Sequence, residues 1–152
     1  MEVANNSGKG IYFATVIICS YVLISEFILF IVIYFSKPNL FDFEFARSLF
    51  DLKDSPIILV MGIFGILTFL ISLALLPISK RLVRKQPVSV IQNSIILAVT
   101  SVIGSCLCFA TSVFGLVSAF VDDNEYFFWW FILGIVGIIL HFPRRKYFSN
   151  NV

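Results

Sequence analysis

Glu26 is the one acid inside a long apolar run of this 152-residue sequence, and its chemistry needs explaining first. It stands in the run Ile11 to Phe35. A charge near mid-membrane costs about 2.5–3.5 kcal/mol on insertion scales. A carboxyl at that depth is therefore neutral, paired or beside water. No Lys or Arg lies within any apolar run. Partners are then limited to Ser, Thr, Cys, backbone, water or another subunit. Two chemistries fit: a protonated carboxyl held by a hydroxyl, and a reversible proton or ion site.

Depth names the hydroxyls. Glu26 lies about 22 Å into its run at the helical rise. The same depth on the third apolar run falls near Ala110, within reach of Cys108, Thr111 and Ser112. Glu26, Thr111 and Ser112 are thus the candidate proton or ion site. His141 closes the last run beside Pro143 and Arg144. No Ser–His or Cys–His pair lies near it in sequence, so it is read as an interfacial helix cap. Cys19, Cys106 and Cys108 all fall inside apolar runs, and their odd number argues against a disulfide framework. Cys106 and Cys108, two apart, point to different helix faces and make no metal pair. Gln92 and Asn93 are placed to cap, gate or bind a headgroup. No catalytic constellation, metal site or cofactor motif is predicted.

The elements that position these residues follow from composition. The chain is 59% hydrophobic and 13% charged, with eighteen Phe, and its mean hydropathy is +0.99. An ordinary soluble domain is about 45–50% apolar and about 25% charged. A soluble enzyme, a disordered tail and a nucleic-acid module are excluded. Crossing a bilayer takes roughly 20 apolar residues. The reading is an all-α integral membrane protein, one transmembrane domain over 1–152 with spans at about 11–35, 57–78, 88–121 and 126–142. Strands are not expected, because the runs lack alternation. Asp54, Ser55 and Pro56 start the second span, and Gln86 and Pro87 precede the third. Pro77 marks a kink near the end of the second, and Pro143 stops the fourth. Tyr126 to Trp130 reads as an interfacial aromatic belt. The first span is too long for a cleaved signal.

Bases set the orientation. Lys80, Arg81, Arg84 and Lys85 follow the second span, and Arg144, Arg145 and Lys146 follow the fourth. Asp122, Asp123 and Glu125 follow the third, with no base. The positive-inside rule places both termini and the basic 79–87 loop in the cytoplasm, of a bacterial inner membrane. The seven bases are the expected contacts for anionic lipid headgroups. The segment from Leu40 to Leu52 faces outside and mixes Phe and Leu with acids and Arg47. It fits a helix lying on the membrane surface or a docking segment for a partner.

The third span carries a stripe of small residues. Ser94, Ala98, Ser101, Ser105, Cys108, Ser112, Gly115 and Ala119 recur at alternating spacings of four and three, a heptad seam on one face. Gly104, Thr111 and Ser118 lie beside it. Gly62, Gly65, Thr68 and Ser72 on the second span, and Gly134 and Gly137 on the fourth, repeat the rhythm. Small residues let membrane helices approach closely. The seam serves either packing within one bundle or contact between subunits.

The segment Ala110 to Ala119, reading ATSVFGLVSA, resembles the carboxylate-bearing helix of rotary ATPase proteolipids, the rotor-ring c subunits. The chain's size and four spans resemble their duplicated form. The C-terminal third is similar to small four-span bacterial membrane proteins related to that helix, whose further span ends in Phe-Pro, as at Phe142-Pro143. The resemblance implies an ion-binding acid six residues before Gly115, where this sequence has Phe109. Aligned as a repeat of hairpins, Glu26 falls opposite Phe109. The sequence therefore predicts a non-enzymatic membrane subunit, an assembly or accessory component of a larger membrane complex or homo-oligomer. The alternatives are a proteolipid-like ring subunit that moves protons through Glu26 and a small transporter or channel. Its expected partners are other membrane subunits, copies of itself and anionic lipid, with no nucleic acid.

Overall fold

A computed structural model describes residues 2–41, 56–85, 90–122 and 127–144. Four helices make up the architecture: α1 (Glu2–Ser36), α2 (Pro56–Lys85), α3 (Val90–Asp122) and α4 (Phe127–His141). A 3-10 turn, Pro38–Phe41, follows α1. The segment 42–55, with its acids, Arg47 and Lys53, lies outside the described residues, as do Gln86, Pro87, Asp123, Glu125, Tyr126, Arg145 and Lys146.

Three helices are long and apolar enough to cross a membrane, over Gly8–Ser36, Leu59–Val83 and Ile91–Val121. The fourth is shorter, and its 15 residues reach about 22 Å at 1.5 Å per residue. Most side chains on α1 and α2 face outward, and these are large and apolar: Phe13, Tyr21, Phe27, Leu59, Ile63 and Leu70 are all exposed. Water would penalise such a surface, whereas hydrocarbon suits it.

Two expectations change. The bases of the second span sit on helix, because α2 continues through Pro77 to Lys85. Hydropathy ends near Ile78, but Lys and Arg are good helix formers and suit the negative C-terminal end of a helix. The aromatic block is also divided. Phe127 is fully buried and Phe131 nearly so, while Trp129 is exposed. Only Trp129 remains in a belt position among the described residues of that block, and the others pack inward.

The third helix lies at the centre and packs against α1, α2 and α4. Of its stripe, Ser94, Ser105, Cys108, Ser112, Gly115 and Ala119 are buried, and Ala98 and Ser101 are half-buried. The seam is thus filled by this chain's own helices. Its partner on α1 is a matching repeat. Cys19, Glu26 and Ile33, seven residues apart, are all fully buried. Ser105 donates to the Cys19 Sγ at 3.6 Å, and Ser112 donates to Glu26, both pairs 86 positions apart in the chain. A constant offset means parallel helices in fixed register. Against α4 the register is antiparallel: Gly115 faces Trp130 and Phe131, Gly134 faces Ser112, Gly137 faces Cys108, and Gly104 faces His141.

One end of the bundle has an apolar core among the described residues, with the buried Ser118 hydroxyl bonded back to the Phe114 carbonyl. Ile33, Leu40, Ala119, Phe127 and Phe131 form its core, with Leu29, Phe30, Leu116 and Phe128 around it. The Phe30 ring stands edge-on to Phe131 at 5.8 Å, and Phe131 is edge-on to Phe127 at 6.2 Å, the arrangement ring quadrupoles favour. The turn after α1 folds Leu40 into this layer, held by the Lys37 amide on the Ile33 carbonyl at 2.8 Å.

Candidate functional site

Below the aromatic layer the bundle core turns polar. Glu26 is fully buried, one helical turn from Phe30 on α1. Its Oε1 accepts a hydrogen bond from the Ser112 hydroxyl. Its Oε2 has no partner among the described residues. The close approach of three helices makes this contact, and Gly134 on α4 permits it. A Cβ at Gly134 would overlap the Ser112 hydroxyl, and it would stand 2.6 Å from Glu26 Oε1 and 3.1 Å from the Cys108 carbonyl. An ionised carboxylate enclosed this way, with no ion pair among the described residues, loses its hydration without full compensation. In its acid form such a carboxyl offers one O–H and an acceptor oxygen.

The other hydroxyl read at this depth goes elsewhere. Thr111 Oγ1 lies 3.1 Å from Thr68 Oγ1 on α2 and also reaches the carbonyls of Leu107 and Gly65. The structure therefore brings Glu26 to Ser112 and sends Thr111 to α2. Both threonines also bond to their own helices, which satisfies them where water is absent.

One turn down α3 from Ser112 lies a second polar group. Ser72 Oγ stands 2.7 Å from His141 Nε2, 2.9 Å from Cys108 Sγ and 3.4 Å from the Gly104 carbonyl. His141, the last residue of α4, is 2% exposed, with its ring turned in against Ser72. The cause is again glycine: a Cβ at Gly104 would overlap the imidazole, and one at Gly137 would overlap the Cys108 sulfur. Sequence proximity could not pair His141 with Ser72, 69 positions away. The signal available was the glycine stripe itself, since Gly104, Gly134 and Gly137 mark where α3 and α4 touch.

Cys106 is exposed, while Cys19 and Cys108 are buried, all as free thiols. Asn93 Oδ1 is buried with no partner among the described residues, and Gln92 is exposed. Lys80, Arg81 and Arg144 are exposed at one end of the bundle. The side chains of Arg84 and Lys85 lie outside the described residues, as do Arg145 and Lys146. Among the described residues no group of three His, Cys, Asp or Glu side chains could hold a metal.

No family model matches the chain, and the searches of curated proteins and of solved structures return no match. The fold defines a small all-helical membrane protein with at least three membrane-length helices. Nothing in those comparisons ties it to the rotor proteolipids.

Proposed function

We propose that the protein moves protons across the membrane, with Glu26 as the exchanging carboxyl. The observation that carries this reading is the wholly buried Glu26 in a membrane-spanning helix, bonded to Ser112 and with no counter-charge among the described residues. Intramembrane acids default to such roles because they are expensive to keep for structure alone. Among the described residues, buried polar groups continue from Glu26 through Cys108, Ser72 and His141 toward the basic end; on its other side stand Phe30, Phe127 and Phe131, and a proton passes there only when that aromatic layer parts. A rotation of the Glu26 side chain bridges the single turn of α3 between the two groups. The Ser72 hydroxyl accepts one proton as it donates another, so no charge is left on it. His141 takes a proton on one ring nitrogen and releases one from the other.

Enclosure of Glu26 by one chain favours a path through the bundle over a ring whose neighbours complete the site. The same observation reduces the support for an accessory subunit, because the small residues that suggested a subunit seam are occupied from within. In orientation, we place the basic end at the cytoplasmic face, by the positive-inside rule. Twenty-one residues separate Ser101, level with Lys80 and Arg144, from Asp122, about 31 Å at the helical rise, which matches the hydrocarbon thickness. With α4 crossing a locally thinned bilayer, both termini are cytoplasmic.

A hydrophobic carbodiimide tests the reading. In the reconstituted protein it should modify Glu26 and stop dye-reported proton flux. Flux that persists at full modification of Glu26 would overturn the proposal.

A further inference from the structure

Where α2, α3 and α4 meet at the basic end, a cavity of about 190 Å³ opens beside His141. By this measure a single water needs only about 10–15 Å³, so the cavity has room for a larger polar group. Its lining includes Lys80, Ser101, His141 and Arg144, and no carboxylate among the described residues. Lys80 comes from the last turns of α2. Arg144 comes from the chain just after α4, which Pro143 ends and where the Phe142 amide turns back to the Ile139 carbonyl at 3.2 Å. Two separate elements thus deliver like charges to one cavity, an arrangement that repels itself unless an anion sits between them. His141, 2% exposed, forms part of the cavity wall, with its Nε2 engaged by Ser72 and its Nδ1 packed against Gly104.

We propose that this cavity binds the phosphate group of an anionic ligand, foremost a lipid headgroup, between Lys80 and Arg144. The guanidinium offers a planar fork and the ammonium a point charge, the usual pair for phosphate. Ser101 adds a hydroxyl. Leu76, Leu97 and Leu140 line the same space, which suits a ligand with a polar head and an apolar stem. The level of the cavity, one hydrocarbon thickness from Asp122, is where a headgroup lies. His141 lines this cavity and also belongs to the proposed proton path, but lipid retention is read without proton movement.

The experiment is native mass spectrometry of the full-length protein in neutral detergent, titrated with phosphatidylglycerol or phosphatidylcholine. One phosphatidylglycerol should be retained per chain in preference to phosphatidylcholine. Lys80→Gln and Arg144→Gln should each weaken retention by roughly ten-fold, as for a lost charge-assisted hydrogen bond. Arg81→Gln removes the same charge one residue away, outside the cavity lining, and should change retention less than about two-fold, as a screened surface charge does. Inorganic phosphate then separates the sources. Displacement of the lipid by millimolar phosphate makes the phosphate group alone the ligand. Persistence of the lipid makes the whole headgroup the ligand. Equal retention of both lipids, or an Arg81→Gln loss equal to that of Lys80→Gln, would overturn the proposal.

Discussion

Gly134→Ala is the sharpest test of the packing around Glu26. The added methyl would overlap the Ser112 hydroxyl and stand 2.6 Å from Glu26 Oε1, with the Cys108 carbonyl at 3.1 Å. Backbone of α3 cannot yield cheaply, so the hydroxyl and carboxyl must part or α4 must move. Overpacking of this kind costs about 1–3 kcal/mol. Loss of the interhelical hydrogen bond adds about 0.6–1.7 kcal/mol. Alanine regains about 1 kcal/mol of helix propensity over glycine, which blurs the comparison with wild type. Gly10→Ala removes that ambiguity, because a Cβ there has nothing within 4 Å and makes the same propensity gain. The two variants should differ by about 2–4 kcal/mol. Reversible unfolding in a mixed-micelle SDS titration measures both. Stabilities within about 0.5 kcal/mol of each other, the range of an ordinary surface change, would refute the placement of Gly134 against Ser112 and Glu26.

Other expectations follow from the same contacts. A double-mutant cycle of Ser72→Ala and His141→Phe should show coupling of about 0.6–1.7 kcal/mol, the span measured for buried membrane hydrogen bonds; additive effects would mean that the 2.7 Å contact carries no energy. Phe131→Ala should cost about 3–5 kcal/mol through the cavity it leaves, whereas Phe27→Ala, on the exposed face of α1, should stay near about 0.5 kcal/mol. The same SDS titration reads both, and equal losses would contradict the assignment of inner and outer faces. Alkaline phosphatase fused after Val152 should be inactive, and an active fusion would reverse the proposed orientation.

Much of this arrangement is legible in residue types and spacing. The heptad of small residues on α3 identified the central helix, because close backbone approach needs that composition wherever helices pack in lipid. The helical rise alone put Glu26 level with Ala110, and the observed partner, Ser112, is half a turn away. Rise cannot choose between Thr111 and Ser112, since that depends on helix rotation. The observed rotation turns Thr111 to α2. Pro143 and Arg144 place His141 at the end of the last span, but its contact with Ser72 is not legible, because sequence carries no record of how closely α4 packs against α3. Gly104 and Gly137 set that approach, and their role appears only when the two helices are in register. The reach of α2 to Lys85 was missed for a different reason. Hydropathy reports where lipid ends, whereas backbone hydrogen bonding continues as long as helix formers follow.

The central claim is that Glu26 exchanges protons, and proton uptake by liposomes measures it most directly. Vesicles holding the protein and a pH-sensitive dye are driven by a potassium diffusion potential. Glu26→Gln keeps an amide that can accept from Ser112 but cannot give up a proton at neutral pH. Wild type should show uptake that Glu26→Gln lowers to the level of protein-free vesicles, with the SDS titration unchanged. Uptake by Glu26→Gln at the wild-type rate would contradict the account.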